Sequence, residues 1–283
     1  MSGPAFLDRL FRLDGRVAIV TGGAGRLGSQ YVRALAATGA SVAAVDLAAS
    51  PSPLNQRTIE SAAGHVLFRT ADVTRREQVD AVIDEVTSRL GPPTILINNA
   101  GLGSSPSDAA LDTCAFERYP EDAWQAMIDS HLKSTLVVSQ SFIAAFRAAR
   151  AARSDLSGSI INVSSTYGLV SPDQSMYEFR RRGNAEYFKP VGYSVAKAGV
   201  LNFTRWLAEY GAPFGIRANT LVPGGVREPD HAPEFVAEYE RRTPLRRMAN
   251  EDDYNGAIVF LASRASAYMT GAMLVVDGGW TAR

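Results

Sequence analysis

The chain has 283 residues, 46% of them hydrophobic, with 29 basic and 29 acidic side chains and a formal net charge of zero. That is enough apolar material for one large core, and the charge balance excludes a field that draws the whole protein to nucleic acid or to an anionic membrane. One cysteine, Cys114, excludes an internal disulfide and fits a reducing compartment; His65, His131 and His231 are far apart in sequence, and no Cys/His cluster has metal-ligand spacing, so no metal is expected.

The opening MSGPAFLDRLFRLDG interrupts its apolar residues with Asp8, Arg9 and Arg12, so it lacks the unbroken apolar core of a signal peptide. No later apolar run is long enough to span a bilayer, and a soluble cytoplasmic protein is expected. Short apolar runs of strand length then recur: VAIV at 17–20, VAAV at 42–45, HVLF at 65–68, ILI at 95–97, SIINV at 159–163, IRANTLV at 216–222 and MLVV at 273–276. The intervals carry Ala-rich helical patterns, among them 74–90, 122–150, 193–210 and 251–263. This alternation predicts a single α/β domain, a Rossmann-type doubly wound parallel sheet of seven strands with helices on both faces. Two stretches break the rhythm, 101–120 and 168–192, the latter with the run Arg180-Arg181-Arg182. Excursions of this kind, beyond strand C-terminal ends, usually wall a site.

Directly after the first strand comes Thr21-Gly22-Gly23-Ala24-Gly25-Arg26-Leu27-Gly28, then a helical pattern. Gly23, Gly25 and Gly28 satisfy GxGxxG between a strand and a helix, where backbone without side chains lets a pyrophosphate approach free N–H groups; a plain tight turn is the competing reading. Asp46 ends the second strand at the spacing where an acid binds the adenosine ribose hydroxyls, and its carboxylate repels a 2'-phosphate. NAD is therefore favoured over NADP, although a guanidinium at Arg26 weighs the other way.

Further along, Tyr193-Ser194-Val195-Ala196-Lys197 opens a helical run. Residues four apart share a helix face, so the Tyr193 hydroxyl and the Lys197 ammonium can occupy one small volume. A neighbouring cation favours the phenolate and suits the phenol to proton transfer near neutrality. The chain has ten tyrosines and only three lysines, Lys133, Lys189 and Lys197, so chance supplies such a pair about 0.1 times per chain.

With these pieces in register the chain resembles the classical short-chain dehydrogenase/reductase family from about Leu13 to its C-terminus. Asp72-Val73 resembles the family's adenine-contacting pair, Asn98-Asn99-Ala100-Gly101 its NNAG motif, GSIINVSS the segment that ends on the catalytic serine, here Ser165, and Pro223-Gly224 its nicotinamide-side motif. The resemblance implies a dinucleotide site drawn from Gly22, Gly25, Arg26, Leu27, Gly28, Asp46, Asp72, Val73, Asn99, Ala100, Gly101, Pro223, Gly224 and Val226, together with Tyr193 and Lys197. It also implies a secondary alcohol and a ketone interconverted by hydride transfer, with Tyr193 exchanging the proton, Lys197 lowering its pKa and Ser165 bonding the substrate oxygen. The closing VVDGGW implies a subunit interface, hence a homotetramer or homodimer.

Three departures carry information. Arg26 stands where the family's middle glycine is expected; His131 stands in WQAMIDSHLKST where the family has an asparagine that holds a water relay; and Glu228 stands in place of a threonine that contacts the cofactor's carboxamide. Imidazole can both donate and accept, so His131 joins the catalytic candidates as a substitute, beside the readings of a tolerated helix residue or impaired catalysis. Ser165 and Tyr193 are separated by more residues than is common in the family, so 171–190 reads as a substrate-side insertion whose Arg180, Arg181, Arg182 and Lys189 meet a carboxylate, phosphate or nucleotide-linked sugar, or else form a solvated surface run. The segment 228–248, with Phe235, Val236 and Tyr239, is expected to be a substrate lid or ordinary core. A sugar, polyol or other polyhydroxylated or anionic substrate is favoured. A dinucleotide-binding sensor without turnover and an epimerase using transient oxidation are the alternative outcomes.

Overall fold

Strand-length runs of aliphatic residues leave backbone groups that only a neighbouring strand can satisfy in a dry interior. In the computed structural model, which describes residues 3–60, 65–103, 115–181 and 187–282, seven such runs pair into one sheet. They are β1 (Val17–Thr21), β2 (Ser41–Asp46), β3 (Val66–Thr70), β4 (Ile95–Asn98), β5 (Gly158–Val163), β6 (Ile216–Pro223) and β7 (Met273–Val276). Every neighbouring pair is parallel, in the order β3-β2-β1-β4-β5-β6-β7. The doubly wound sheet expected from the sequence is the one observed. Cys114, Arg182 and 104–114 of the first irregular stretch lie outside the described residues.

The connecting helices are α1 (Gly3–Phe11), α2 (Arg26–Ala37), α3 (Pro53–Glu60), α4 (Arg76–Leu90), α5 (Glu121–Ile128), α6 (Ser134–Ala152), α7 (Thr166–Leu169), α8 (Val191–Gly211), α9 (Pro233–Arg242) and α10 (Asn255–Ala262). The pattern at 122–150 predicts one helix, whereas α5 and α6 are joined by a single π-helical turn, Asp129–Lys133. An extra residue in the ladder re-aims side chains without disturbing the apolar periodicity, so hydropathy does not reveal it. The last predicted helix also starts later than expected. The Asp253 carboxylate accepts from the Asn250 N–H at 2.7 Å and pairs with Arg247, which holds the preceding residues in a turn.

Both faces of the sheet are covered. On one face α4, α6 and α8 bury Val86, Phe142, Phe146 and Leu207; on the other α2 and α10 bury Tyr31, Leu35, Ile258 and Leu261. Full burial of each such side chain contributes about 1.5–3 kcal/mol. A buried polar chain crosses the first layer and fixes α8. Asn98 Nδ2 donates to Ser139 Oγ on α6 at 3.0 Å and to Asn162 Oδ1 on β5 at 2.8 Å, and Asn162 Nδ2 donates to Thr204 Oγ1 on α8 at 2.8 Å. Hydrogen-bonded networks in low dielectric favour one arrangement of the elements they join, although Asn98 Oδ1 has no partner among the described residues.

A third apolar cluster lies outside the sheet layers. Met176, Tyr177 and Tyr187 of the sequence insertion pack against Phe235, Val236 and Tyr239 of α9, with Met248 and Trp280 at the edge. Arg242 of α9 pairs with Asp173 at 2.5 Å. The insertion and α9 thus cover the same end of the molecule, beyond the C-terminal ends of β5 and β6.

Candidate active site

The strand order reverses between β1 and β4, and the crevice there opens at the carboxyl ends of the strands, where doubly wound sheets take their ligands. The junction is tied by Thr21, whose Oγ1 accepts the Asn99 and Ala100 N–H groups at 3.0 and 3.1 Å. Above it lies a cleft of about 560 Å³, and Gly22, Gly25, Arg26, Leu27, Gly28, Asp46, Asp72, Val73, Asn99, Ala100 and Gly101 all line it. The first turn of α2 opens on this cleft with Gly25 as its N-cap. A Cβ on Gly28 would overlap the Gly22 carbonyl oxygen, so the turn closes this tightly only with glycine. Asp46 is held by two backbone amides, Ala24 N–H to Oδ2 at 2.9 Å and Ala48 N–H to Oδ1 at 3.0 Å. Asp72 Oδ1 accepts from Thr74 N–H and Oγ1, bonds that hold its carboxyl below the ordinary value. A side-chain-free cradle at a helix N-terminus, with a fixed carboxylate at the end of β2, fits a dinucleotide.

Arg26 does not turn toward Asp46. Its Nη1 donates to the Arg227 carbonyl at 2.9 Å, spanning from α2 to the segment after β6. The guanidinium that weighed toward a 2'-phosphate in the sequence is therefore engaged on the other side of the cleft.

A second cavity, about 320 Å³, adjoins the first; Arg26, Leu27, Asn99 and Gly101 line both. Its walls include Ser165, Tyr193, Lys197, His131, Pro223, Gly224 and Val226, so the fold gathers all the remaining sequence candidates. Tyr193 lies in the first turn of α8 and Lys197 one turn on, with the Lys197 Nζ 5.8 Å from the Tyr193 ring centroid. Lys197 Nζ donates to the Val163 carbonyl at the end of β5 at 2.9 Å, and burial lowers its pKa to about 8. Ser165 caps α7, its Oγ accepting from Tyr167 N–H at 3.2 Å, which leaves the hydroxyl proton to be donated elsewhere.

His131 sits on the π-turn, 3% exposed, with its ring edge-on to Tyr193 at 5.5 Å. Nε2 lies 3.2 Å from the Leu102 carbonyl, and since that oxygen can only accept, Nε2 carries the proton. Nδ1 is then a buried lone pair with no partner among the described residues. The ring also occupies the space a Cβ on Gly101 would need, which ties the glycine of NNAG to this imidazole. Burial first, then the Lys197 ammonium, push the His131 pKa well below its ordinary value, so the ring is neutral in the fold. Below pH ~6.5 the unfolded chain takes up a proton that the folded chain refuses, and stability falls as pH falls by about 1.4 kcal/mol per unit from this residue. His231, also lowered by burial, acts in the same direction. Urea denaturation of His131→Asn between pH 5 and 6.5 is therefore expected to show a shallower loss of stability than the parent; parallel curves would refute the buried neutral imidazole.

Tyr167 and Tyr177, lining residues not singled out by sequence, face the cavity with their hydroxyls 3.0 Å apart. Tyr239, named with the expected lid, also lines it, its Oη accepting from Gly225 N–H at 2.6 Å. His131 and His231, remote in sequence, line the same cavity, and no group of His, Cys, Asp and Glu suited to a metal occurs among the described residues. At Glu228 the backbone N–H donates to His231 Nδ1 at 3.3 Å. The basic run also departs from a solvated face. Arg180 stacks on Tyr187 and Arg181 on Phe188, 3.9 and 4.4 Å from the ring centroids, while Lys189 is buried. Cation–aromatic stacking here pairs residues seven positions apart, Arg180 with Tyr187 and Arg181 with Phe188, which hydropathy along the chain does not encode.

Comparison with known proteins places this geometry among related ones. A family model described as enoyl-(acyl carrier protein) reductase matches residues 23–281. Cis-4-hydroxycyclohexanecarboxylate dehydrogenase of Sinomonas cyclohexanicum is 33% identical over 271 residues, 94% of this chain and 97% of that one. D-arabinitol 2-dehydrogenase (ribulose-forming) of Scheffersomyces stipitis is 33% identical over 291 residues, covering 95% of each chain. The crystal structure of a gluconate 5-dehydrogenase from Burkholderia cenocepacia, in complex with NADP and tartrate, is 30% identical and superposes with a TM-score of 0.79 over 98% of this chain and 99% of that one.

Proposed function

Because the chain belongs to the classical short-chain dehydrogenase/reductase family and is an oxidoreductase acting on alcohols, we propose that its two joined cavities interconvert a secondary alcohol and a ketone with NAD, Tyr193 serving as general acid and base. The observation that carries this reading is the convergence of Ser165, Tyr193 and Lys197 on one cavity continuous with the cleft beside Asp46. When bound, the nicotinamide supplies the hydride acceptor or donor.

In the oxidative direction the Tyr193 phenolate takes the substrate hydroxyl proton. Ser165, its oxygen already accepting from Tyr167 N–H, donates its own proton to the same substrate oxygen and holds it at the phenol. Lys197, anchored on the Val163 carbonyl, favours the phenolate and can donate to a ribose hydroxyl. His131 keeps the Tyr193 ring and the Gly101–Gly103 segment in register through its ring edge and its bond to Leu102, standing in for the family's asparagine. The insertion 171–190 and the lid 228–248 cover the substrate and exclude water.

The fixed Asp46 carboxylate favours NAD, although the gluconate 5-dehydrogenase structure was obtained with NADP. Asp46→Ala is expected to lower the ratio of kcat/KM for NAD to that for NADP by about tenfold or more, since a unit charge beside a 2'-phosphate is worth roughly 1.4 kcal/mol of discrimination. An unchanged ratio would remove Asp46 from the discrimination. Relatives named for a polyol, a hydroxy acid and gluconate support a polyhydroxylated or anionic substrate. We further infer a cytoplasmic homotetramer or homodimer. The stacked pair Trp206 and Tyr210 on α8 and the part-exposed Met273 and Val275 on β7 are apolar surface that another copy can cover. Formation of NADH from NAD, followed by absorbance over a panel of sugars, polyols, hydroxy acids and cyclic alcohols, tests the whole reading. NAD binding without turnover of any alcohol would favour the sensor alternative.

A further inference from the structure

The cavity at Tyr193 carries hydroxyl protons that no described residue accepts. Ser165, Tyr167, Tyr177 and Tyr239 all line it, and each hydroxyl has one proton to give. Ser165 Oγ accepts from Tyr167 N–H at 3.2 Å and Tyr239 Oη from Gly225 N–H at 2.6 Å, and neither hydroxyl donates to a described residue. The Tyr167 and Tyr177 hydroxyls, 3.0 Å apart, bond each other, so one proton of the two is used within the pair and the other is left to give. Ser165 is taken up by the reacting oxygen. The leftover proton of the tyrosine pair and that of Tyr239 have no task in the proton transfer itself.

These phenols stand beside the reacting centre on three different elements. The ring centroids of Tyr167, Tyr177 and Tyr193 lie 5.9, 5.7 and 5.7 Å from one atom, Lys189 Nζ, so the three rings surround a common point. Tyr167 is on α7, two residues after Ser165, Tyr177 is on the insertion, and Tyr239 is on α9. Their rings are held by packing: Tyr177 stacks on Phe235 with centroids 5.8 Å apart, and Tyr239 on Trp280 at 4.4 Å. Burial pushes all three phenols above their ordinary value, Tyr239 to about 12, so each remains a neutral donor near pH 7. A buried O–H without an acceptor is unfavourable, and a ligand oxygen that accepts it recovers the loss.

We propose that the Tyr167–Tyr177 pair, with Tyr239, is a specificity-determining wall that receives a second oxygen of the substrate, so that the substrate class is a polyol or sugar with its reacting CH–OH at Tyr193 and another hydroxyl oxygen at the pair. This rests on the dehydrogenase reading of the same site. A hydroxyl is favoured over a carboxylate because these donors are neutral and come singly from separate elements, whereas a carboxylate is met best by a charged fork.

The test measures kcat/KM with NAD for cyclohexanol, for the 1,2-, 1,3- and 1,4-cyclohexanediols and for 3-hydroxycyclohexanecarboxylate. In the parent enzyme at least one diol is expected to exceed cyclohexanol by about 100-fold, because the analogue that lacks the second oxygen leaves the wall's protons unpaired. The double change Tyr167→Phe/Tyr177→Phe is expected to bring that ratio down to about five. Each single change leaves one hydroxyl with its proton, and is expected to cost the ratio less than the double change does. Diols no better than cyclohexanol in the parent overturn the proposal, and this comparison needs no variant to fold. A ratio unchanged in the double variant, or an equal loss for diol and cyclohexanol, also overturns it, since a merely structural role for the pair would lower both rates together. So does a hydroxy acid that outruns every diol, which would make the wall an anion site. Absence of turnover with every diol, acid and simple alcohol, with NAD still bound, would instead remove the dehydrogenase reading, and this proposal with it.

Discussion

Tyr193→Phe is expected to lower kcat/KM for alcohol oxidation by about 1,000-fold while leaving NAD affinity within about threefold. The change deletes one oxygen from a side chain in the first turn of α8 and keeps the ring that packs edge-on against His131. Proton transfer then falls to water, whereas the cradle around Gly28 and Asp46 is untouched. Stopped-flow or steady-state rates, with NAD affinity read by tryptophan fluorescence, separate the two quantities. Retention of more than a tenth of the activity would show that another group, Ser165 or a water, carries the proton.

Gly28→Ala is expected to weaken NAD binding by at least about 100-fold and to destabilise the fold by about 1–3 kcal/mol. The added Cβ collides with the Gly22 carbonyl oxygen, and its nearest other neighbours are also backbone, 2.8 Å to Gly22 C and 2.9 Å to Gly23 Cα, so no side-chain rotation relieves it. Gly256→Ala, on α10, is the control: a Cβ there meets nothing within 4 Å, and the helix gains roughly 0.5–1 kcal/mol from the better helix former. Calorimetric titration with NAD and thermal melts of both variants check the pair. Normal NAD affinity in Gly28→Ala would mean that the turn can reopen and that the phosphate cradle is not set by this contact.

Much of this was legible in the chain because the physics responsible is local. Strand-length aliphatic runs at 17–20, 42–45 and 95–97 can bury both faces only in a covered parallel sheet, and that sheet is observed. The Tyr193–Lys197 spacing, the glycines after β1 and Asp46 at the end of β2 were readable because each needs only its own element and a known direction. The π-turn at His131 was not, since it alters the hydrogen-bond ladder while leaving the apolar stripe intact. Nor was the reach of Arg26 to Arg227, a contact across 201 positions. The basic run was the clearest difference. Composition treats Arg180, Arg181 and Lys189 alike, but Arg180 and Arg181 lie on the rings of Tyr187 and Phe188 while Lys189 lies among the tyrosines of the cavity.

The order of strands also has a consequence for how the protein is made. β2 lies between β1 and β3 and pairs with both, Val17 with Ser41 and Val42 with Val66, so these three strands draw only on the first 70 residues. The other edge of β1 waits for β4, where Ala18 meets Ile95 and Ile19 meets Leu96. Until the ribosome has delivered that strand, the most apolar edge of the nascent sheet is open, and the glycine turn has only one of its two walls, because Asn99 and Ala100 dock on Thr21 only after β4 is in place. Delivery of ILINNAG closes that edge and builds the second wall of the nucleotide cleft in the same step.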